Sequence, residues 1–206
     1  MIEKDFFNVT VVTTGGVCER LIPYVARVTR GFDMRTISAP FVGKLQQEKD
    51  LELLHKLLRF KHLSVFEFSN IVFQIECPIY VARQLMRYRC SSFIERSLRV
   101  CGPMESDEAY FAYNDAIKAG QKREDARALL PLSTQTRFLW LLNLRELLHI
   151  AEERLTPNAQ AMTRDIVQKM VDLTSEHFPH VIEYWQSDRV IGYWKEYRKD
   201  SKCPTK

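Results

Sequence analysis

Arginine is concentrated in one short stretch of this chain, RQLMRYRCSSFIERSLR, which runs from Arg83 to Arg99. The stretch contains five arginines, no lysine and a single acid, Glu95. Its net charge, five minus one, equals the formal net charge of the whole chain, +4, so the basic character is local. Because a planar guanidinium can form two parallel hydrogen bonds with anionic oxygens, this composition predicts a pocket for a nucleotide or a phosphorylated cofactor.

The first half of the stretch is predicted to lie on a helix over residues 78–89, PIYVARQLMRYR. Pro78 suits the first turn, because proline has a fixed φ and no N–H group to leave unpaired. Arg83 and Arg87 are four residues apart, and Gln84 and Arg87 are three apart. On a helix their side chains can therefore converge on one ligand.

The second half alternates in the manner of a strand over residues 91–100, SSFIERSLRV. Successive side chains of a strand point to opposite faces of a sheet. Glu95, Ser97 and Arg99 would therefore share one face. These three polar groups would extend the predicted pocket from the helix onto the next strand.

Two further groups of polar residues have spacings that could serve chemistry. The segment NLRELLHIAEER holds four, of which a helix would present two or three along one edge: Asn143, Arg145, His149 and Arg154. The segment HLSVFE holds three just before a predicted strand: His62, Ser64 and Glu67. Taken singly, such residues are more often surface or packing residues than catalytic ones, so spacing alone names no reaction. The sequence contains no glycine-rich phosphate loop, which argues against a Rossmann or P-loop site.

The composition of the whole chain limits the possible functions. With 30 basic and 26 acidic residues among 206, the net charge is too small to indicate a nucleic-acid coat or a charged membrane-surface protein. The sequence has no run of about 18 apolar residues, and its first residues, MIEKDFFNVTVV, lack the pattern of a secretion signal. We therefore expect a cytoplasmic protein that binds neither nucleic acid nor membrane.

The cysteines form neither a metal-binding nor a disulfide pattern. They are five in number, scattered and without a CxxC pair: Cys18, Cys77, Cys90, Cys101 and Cys203. We expect no metal site, and we interpret each cysteine as a buried or idle thiol.

Hydrophobic periodicity predicts strands and helices around these groups. Strands are predicted over residues 8–14, 68–77 and 91–100, and either a strand or a buried entry segment is predicted at the start of 136–155. Helices are predicted over residues 18–30, 48–60, 78–89, 105–120, 122–133 and 158–179, and at the end of 136–155 through about Arg154. Asn158 is the predicted cap of the last helix. Because no repeat or linker interrupts the pattern, one compact α+β domain over residues 1–206 is the simplest account.

Taken together, these segments resemble the flavin-dependent thymidylate synthases of the ThyX type. The signature of that family is Arg-His-Arg followed by a spaced Ser, Glu, Ser and Arg, and the matching residues here are Arg87-Tyr88-Arg89, Ser92, Glu95, Ser97 and Arg99. The resemblance covers His62 to Arg99, including a His-x-Ser-x-x-Glu segment, and Arg127 to Gln160. Three residues differ from those common in the family: Tyr88 and Phe68 replace histidine, and Ile94 replaces Asn or Gln.

The resemblance implies a fold, a reaction and an assembly. The expected fold is a small, mostly antiparallel sheet packed on long helices. The expected reaction transfers the methylene group of methylenetetrahydrofolate to C5 of dUMP, with reduced FAD as hydride donor and NADPH as the reductant that reloads the flavin. The expected assembly is a homotetramer whose subunits share each site. This route needs no cysteine nucleophile, which agrees with our interpretation of the thiols.

The resemblance also implies roles for individual residues, carried over by position. The expected FAD contacts are Ser64, Arg87, Tyr88, Arg89, Glu95, Asn143, Arg145 and His149. The expected dUMP contacts are Gln84, Arg87, Glu95, Arg96, Ser97, Leu98, Arg99, Arg127 and Arg154. Arg127 would lie on the phosphate side. Arg154 would lie at the uracil edge, where a cation stabilises the negative charge that develops on the activated ring, and is thus the predicted catalytic residue.

Two other hypotheses stay open on the sequence alone. One is a related flavoenzyme that also acts on C5 of a uridylate but has another acceptor or product, such as methylated UMP or hydroxymethylated dUMP. The other is a non-catalytic binder of nucleotides or nucleic acid built on the arginine stretch. Such a binder would be colourless, and its binding of nucleic acid would weaken steeply with salt.

Overall fold

A sheet of four strands lies in the described part of the chain, which comprises residues 7–13, 19–31, 48–104 and 110–187 of the computed structural model. The strands are β1 (Asn8–Thr13), β2 (Asn70–Pro78), β3 (Ser91–Glu95) and β4 (Gln135–Asn143). Their order in the sheet is β1-β2-β4-β3, and the pairs β1 with β2 and β3 with β4 are antiparallel. The predicted α+β fold with a small antiparallel sheet is confirmed.

Helices make up most of the remaining described structure. They are α1 (Leu21–Val28), α2 (Glu48–Arg59), α3 (Ile79–Leu85), α4 (Phe111–Lys118), α5 (Arg123–Ala126), α6 (Leu144–Arg154), α7 (Ala161–Ser175) and α8 (Pro179–Gln186). Short 3₁₀ helices cover Leu63–Phe68 and Arg127–Leu129.

Contacts within the chain define two compact units. The first comprises residues up to Thr13, Val72–Leu142 and His149–Met170. The second comprises Thr14–Ile71, Asn143–Leu148 and the residues from Val171 onward. A single domain over residues 1–206 stays a prediction.

The core of the first unit is built on the inward faces of β2 and β4. In β2, buried side chains alternate with partly exposed ones, and Phe73 and Ile75 are fully buried. Phe138 and Trp140 are buried in the same alternating manner in β4. Phe93 of β3 lies opposite Trp140 in the register, and the two rings stack with 5.2 Å between their centroids. Such cross-strand aromatic pairs stabilise a sheet beyond the apolar area that they bury.

The second unit combines an apolar helical core with a fully buried carboxylate, that of Glu19. Leu54 and Leu57 lie three residues apart on the buried face of α2, which packs against α1 and α8. Glu19 is fully buried before α1. Its Oε1 accepts a hydrogen bond of 2.7 Å from the N–H group of Val181, and its Oε2 lies 2.7 Å from Nδ1 of His180. Burial of a carboxylate requires such partners, because the loss of hydration is costly.

Most of the predicted elements are present. β1, α2 and β2 begin and end within about two residues of their predicted bounds. The predicted change from strand to helix within residues 136–155 is also confirmed, since β4 passes directly into α6, which ends at Arg154. α4 ends shortly before Gly120, whose φ of +87° is the left-handed conformation that closes helices.

α3 ends earlier than predicted, so the predicted placement of Arg83, Gln84 and Arg87 on one helix is wrong. The last helical residue is Leu85. The N–H groups of Arg87 and Tyr88 bond to the carbonyl groups three residues earlier, at 3.4 and 3.2 Å. This tightening is typical of a helix end, and it leaves Arg87 in the turn that follows α3.

β3 is also shorter than predicted. It ends at Glu95, and the N–H group of Cys101 then bonds to the carbonyl group of Ser97 at 2.9 Å. Ser97 and Arg99 therefore lie in a turn beyond the strand. The prediction that they share a strand face with Glu95 is wrong, because this turn replaces the pairing with β4.

The helix predicted over residues 158–179 is two helices, α7 and α8. α7 begins at Ala161, two residues later than a cap at Asn158 would require. The break between the helices precedes Pro179, which occupies the first turn of α8, where a missing N–H group costs nothing. Residues 105–109 of the helix predicted over 105–120 lie outside the described residues.

The buried carboxylate of Glu19 leads to a prediction about stability. We expect Glu19→Ala to lower the free energy of unfolding by about 2 kcal/mol, because it leaves the N–H group of Val181 buried without an acceptor. Glu19→Gln should cost less, since its amide oxygen can still accept that bond. Chemical denaturation of both variants at neutral pH measures the difference, and equal stability of Glu19→Ala and the wild type would contradict it.

The same carboxylate should make stability depend on pH. Burial raises the pKa of Glu19, against the opposing effects of its bonds to His180 and Val181. The folded protein therefore holds this proton more tightly than the unfolded chain does. As pH rises from the ordinary glutamate pKa through the raised value, the wild type should lose unfolding free energy relative to Glu19→Gln. The raised pKa of Glu19 would be contradicted if the unfolding free energy of the wild type minus that of Glu19→Gln stayed constant or increased over this pH range.

Candidate active site

The hydroxyl group of Tyr88, which follows α3, forms hydrogen bonds with two charged residues. Oη of Tyr88 accepts a hydrogen bond of 2.6 Å from Nε of Arg154 and donates one of 2.8 Å to Oε2 of Glu153. The guanidinium carbon of Arg154 also lies 5.3 Å from the centroid of the tyrosine ring, as in a cation–π contact. The predicted catalytic arginine is thus supported by both the hydroxyl group and the ring of one phenol.

Aromatic residues of β4 and α6 pack around the ring of Tyr88, a residue that is only 8% exposed. Trp140 stacks on it with 6.4 Å between centroids, and His149 meets it edge to face at 6.2 Å. Nε2 of His149 lies 3.7 Å from Oε1 of Glu153. Burial, with the hydrogen bond to Glu153, raises the pKa of Tyr88 to about 12, although Arg154 acts in the opposite direction. The phenol therefore keeps its proton across the neutral range.

Gln84 is held at the end of α3 by two residues that lie after α6. Its Nε2 donates a hydrogen bond to Oε1 of Gln160, and its Oε1 accepts one of 3.1 Å from Oγ1 of Thr163. An amide group has a second N–H and a second lone pair beyond these bonds. The arrangement fixes the amide and leaves it able to recognise a polar ligand.

Two charged residues at the end of β3 differ in their surroundings. Oε1 of Glu95 accepts a hydrogen bond of 2.8 Å from Oγ1 of Thr136 on the neighbouring strand. Nε of Arg96, in contrast, is buried and has no hydrogen-bond partner among the described residues. A buried donor without a partner costs about 1 to 3 kcal/mol. The Arg96 guanidinium therefore fits a site that a bound anion would complete.

Two predicted dUMP contacts, Arg99 and Arg127, meet at one glutamate. Nε of Arg99 lies 3.0 Å from Oε2 of Glu124, and Nε of Arg127 donates a 3.0 Å hydrogen bond to the main-chain carbonyl group of the same residue. Both arginines are exposed. Glu124 therefore brings together two guanidinium groups that lie 28 residues apart in the sequence.

Three of the predicted FAD contacts belong to the second unit. Ser64 is exposed on the 3₁₀ helix. Asn143 precedes α6, where its Oδ1 accepts a 2.8 Å hydrogen bond from the N–H group of Glu146, the geometry of a helix N-cap. Arg145 forms an exposed ion pair with Glu67. Asn143 thus has a structural role whether or not it also contacts a ligand.

Comparison with known proteins identifies the family of this chain. The family model for "Thymidylate synthase complementing protein" matches residues 11–107 and 104–180. The chain belongs to this family. The predicted resemblance to flavin-dependent thymidylate synthases is therefore confirmed, and membership implies the use of a flavin.

Individual relatives agree with this assignment. A flavin-dependent thymidylate synthase of Thermotoga neapolitana is 30% identical over 174 residues, which cover 71% of this chain and 78% of the relative. One of Thermus thermophilus is 29% identical over 196 residues, covering 78% and 69%. The UMP/dUMP methylase PolB of Streptomyces cacaoi, in a crystal structure with 5-Br dUMP, shares the fold with a TM-score of 0.72 and 21% identity, over 87% of this chain and 94% of that chain. The prediction of a methyl-transferring enzyme is confirmed.

The first unit has residues that fit the phosphate groups of a flavin nucleotide. Arg87 and Arg89 flank Tyr88 and are exposed, and neither guanidinium group has a hydrogen-bond or ion-pair partner among the described residues. Guanidinium groups without partners are what a phosphate-binding surface needs.

Several contacts of the predicted site residues were missed by sequence reasoning. They are made by Glu124, Thr136, Glu153, Gln160 and Thr163. One signal was available for Glu153, because it lies four residues after His149 and beside Arg154 on the same helix. Ser97 is exposed and Leu98 partly exposed, and both lie in the turn after β3.

A cavity of about 400 Å³ was also not predicted. Its lining comprises Cys101, Gly102, Pro103, Tyr113, Asn114, Ile117, Lys118 and Arg123. Arg123 links this cavity to the turn after β3, since its Nη1 donates a 2.8 Å hydrogen bond to the carbonyl group of Val100. The cavity therefore adjoins the turn that carries Arg99.

The described cysteines are unpaired thiols in contrasting surroundings. Cys77 is buried in β2, whereas Cys90 and Cys101 are exposed. Burial, with a smaller effect of Glu95, raises the pKa of Cys77 to about 12. Cys18 and Cys203 lie outside the described residues. In the described ranges, no group of three or more His, Cys, Asp or Glu residues could hold a metal ion, and no helix is long and apolar enough to cross a membrane.

The surroundings of the thiols predict their reactivity. At neutral pH, N-ethylmaleimide should label Cys90 and Cys101 of the folded protein rapidly and leave Cys77 unmodified, because the reactive thiolate is absent there and the side chain is inaccessible. Mass spectrometry of peptides measures the labelling at each position. Denatured protein, in which all three should react, is the control. Fast labelling of Cys77 in the folded protein would contradict the prediction.

Proposed function

We propose that this enzyme is a flavin-dependent thymidylate synthase that converts dUMP to dTMP. Methylenetetrahydrofolate would donate the one-carbon unit, and C5 of the pyrimidine would lose its proton as the new carbon–carbon bond forms. Bound reduced FAD would supply the hydride that completes the methyl group, and NADPH would return the flavin to its reduced form. Tetrahydrofolate would be the second product.

The placement of Arg154 is the observation that carries this proposal. Its Nε is bound to Tyr88, which leaves both Nη groups able to donate to a planar ligand. Negative charge develops on the uracil ring when C5 becomes nucleophilic, and a cation already in place stabilises that charge. Arg154 would therefore lower the barrier to the reaction as well as bind the base.

Other residues of the first unit would hold the rest of dUMP. Arg99 and Arg127, which meet at Glu124, would bind the phosphate group. Arg96 would complete its hydrogen bonding in the same region, since its Nε is unpaired. Gln84 is preset to contact the nucleotide by Gln160 and Thr163. The predicted contacts of Arg87, Glu95, Ser97 and Leu98 complete this proposed set.

The flavin contacts and the assembly are proposed on the basis of the family. The arginines on either side of Tyr88 would bind FAD phosphate, and the remaining contacts would come from Ser64, Glu95, Asn143, Arg145 and His149. A homotetramer in which subunits share each site is part of the proposal. The predicted cytoplasmic location and the predicted absence of nucleic-acid and membrane partners stay predictions.

A second candidate is a C5 methylase that accepts UMP. The shared fold with a protein named as a UMP/dUMP methylase is the observation that favours it. The two candidates differ in the sugar of the acceptor, and both would use the residues assigned here to phosphate and base. A hydroxymethylated product is a further variant of the same chemistry.

A single set of reactions tests the proposal. Purified full-length protein should bind FAD and show the visible absorption of the oxidised flavin. After reduction without oxygen, it should be mixed with methylenetetrahydrofolate and either dUMP or UMP, and the products analysed by mass spectrometry. Conversion of dUMP to dTMP supports the proposal, whereas exclusive conversion of UMP supports the second candidate. Failure to bind FAD would overturn both, and light scattering of the same sample tests the tetramer.

The roles of Arg154 and Ser97 predict an order of effects. Arg154→Ala should lose about 2 to 4 kcal/mol of transition-state stabilisation, comparable to removal of one preorganised donor. Ser97→Ala removes one neutral donor and should cost about 0.5 to 1.5 kcal/mol. Flavin binding should survive in both. Rapid-mixing measurement of flavin oxidation by dUMP and methylenetetrahydrofolate decides the order, and the roles are wrong if Ser97→Ala abolishes oxidation while Arg154→Ala proceeds normally.

A further inference from the structure

Tyr88 lies between two exposed arginines, but its own side chain points into the first unit. Arg87 and Arg89 are exposed, whereas the Tyr88 ring is buried against Trp140. Arg87 and Arg89, and not Tyr88, therefore form the positively charged surface that could bind a cofactor phosphate. The contacts of Tyr88 itself lead to Arg154.

Arg154 takes its orientation from this phenol. Its Nε–H group donates to Oη of Tyr88 at 2.6 Å, and its guanidinium lies over the ring of the same residue. A long arginine side chain samples many rotamers when it is free, and two contacts to one rigid group select among them. A group oriented before the substrate arrives does not have to be ordered during the reaction.

Glu153 directs the phenolic proton away from Arg154. Oη of Tyr88 donates that proton to Oε2 of Glu153 at 2.8 Å, so a lone pair of the same oxygen is left to accept the Nε–H group. The other carboxylate oxygen of Glu153 lies 3.7 Å from Nε2 of His149. The glutamate thereby approaches both Tyr88 and His149.

We infer that Tyr88 is a positioning residue that, with Glu153, orients Arg154 toward the pyrimidine. The inference rests on the proposed function for its substrate and on the contacts above for its geometry. It differs from the contact with FAD that the family resemblance implies for this position. Histidine, the usual family residue, is not equivalent, because phenolic oxygen donates and accepts at one atom, whereas each imidazole nitrogen does only one of these.

Kinetic analysis of Tyr88→Phe tests the inference, since the ring is kept and only the hydroxyl group is removed. We expect kcat to fall about 10- to 100-fold, with a smaller change in the KM for dUMP and no change in FAD affinity. Tyr80→Phe is the matched control, because within the described ranges the hydroxyl group of Tyr80 donates to a weak acceptor, Sδ of Met162 at 3.9 Å. It should behave like the wild type.

A double-mutant cycle separates positioning from a general loss of structure. If Tyr88 acts through Arg154, Tyr88→Phe should cause no further loss of kcat in an Arg154→Ala background. Additive losses in the cycle would overturn the inference, and so would weaker FAD binding with unchanged kcat. Glu153→Gln should cost less than Tyr88→Phe, since its amide oxygen can still accept the phenolic proton.

The pH profile of Tyr88→His provides a third readout. Among the described residues, the charged and titratable groups in contact with the Tyr88 side chain are His149, Glu153 and Arg154, all on α6, and the neighbours Arg87 and Arg89 in the sequence are also charged. Protonated imidazole has no lone pair to accept the Nε–H group of Arg154, and it repels that cation. We expect kcat of Tyr88→His to fall, relative to that of the wild type, as pH decreases through the imidazole pKa. His149 is present in both enzymes, so its own titration does not contribute to the difference. Parallel profiles of the two enzymes would count against positioning.

A measurement without turnover distinguishes failure of this inference from failure of the proposed function. In protein labelled with ¹⁵N-arginine, the Nε–H signal of Arg154 is identified by its absence from Arg154→Lys. Its exchange with solvent should be slow in the wild type and in Tyr80→Phe, and fast in Tyr88→Phe. Equal exchange in all three would overturn the positioning role. If exchange follows the expectation but dUMP is not converted, the contact is real and the proposed function is wrong.

Discussion

The direct passage from β4 into α6 is the constraint on which the position of the predicted catalytic arginine depends. The strand ends at Asn143 and the helix begins at Leu144, without a connecting loop. Asn143 caps the new helix by accepting a hydrogen bond from the N–H group of Glu146. Since each residue of a helix adds a fixed rotation, the directions of His149 and Arg154 follow from the point at which the strand ends. A flexible loop at this point would not fix these directions.

Sequence periodicity predicted the fold well wherever one face of an element is buried. β2 and α2 are such elements, and their alternation or leucine spacing records the burial directly. It failed at the ends of α3 and β3, where Arg87 and Ser97 were assigned to regular elements. The termini of these elements depend on turns closed by local backbone hydrogen bonds, and side-chain periodicity carries no information about those bonds.

Sequence reasoning named the residues of the candidate site but predicted few of the contacts between them. The family motifs identified Tyr88 and Arg154, and the structure places the two in direct contact. The inward direction of Tyr88 was not predictable, because it is set by packing on Trp140, which lies on another element 52 residues away. Glu153 escaped notice because a glutamate near other charges on a helix usually faces solvent.

The pairing of Arg99 with Glu124 implies that binding of phosphate would be an exchange of anions. In the free protein the carboxylate already occupies the guanidinium, so an incoming phosphate would displace an intramolecular partner instead of only bulk counterions. An exposed pair of this kind is weak and easily displaced. The affinity for a nucleotide should consequently depend on ionic strength less strongly than the number of arginines suggests. The reason is that the carboxylate of Glu124 already neutralises one of these arginines in place of a salt ion.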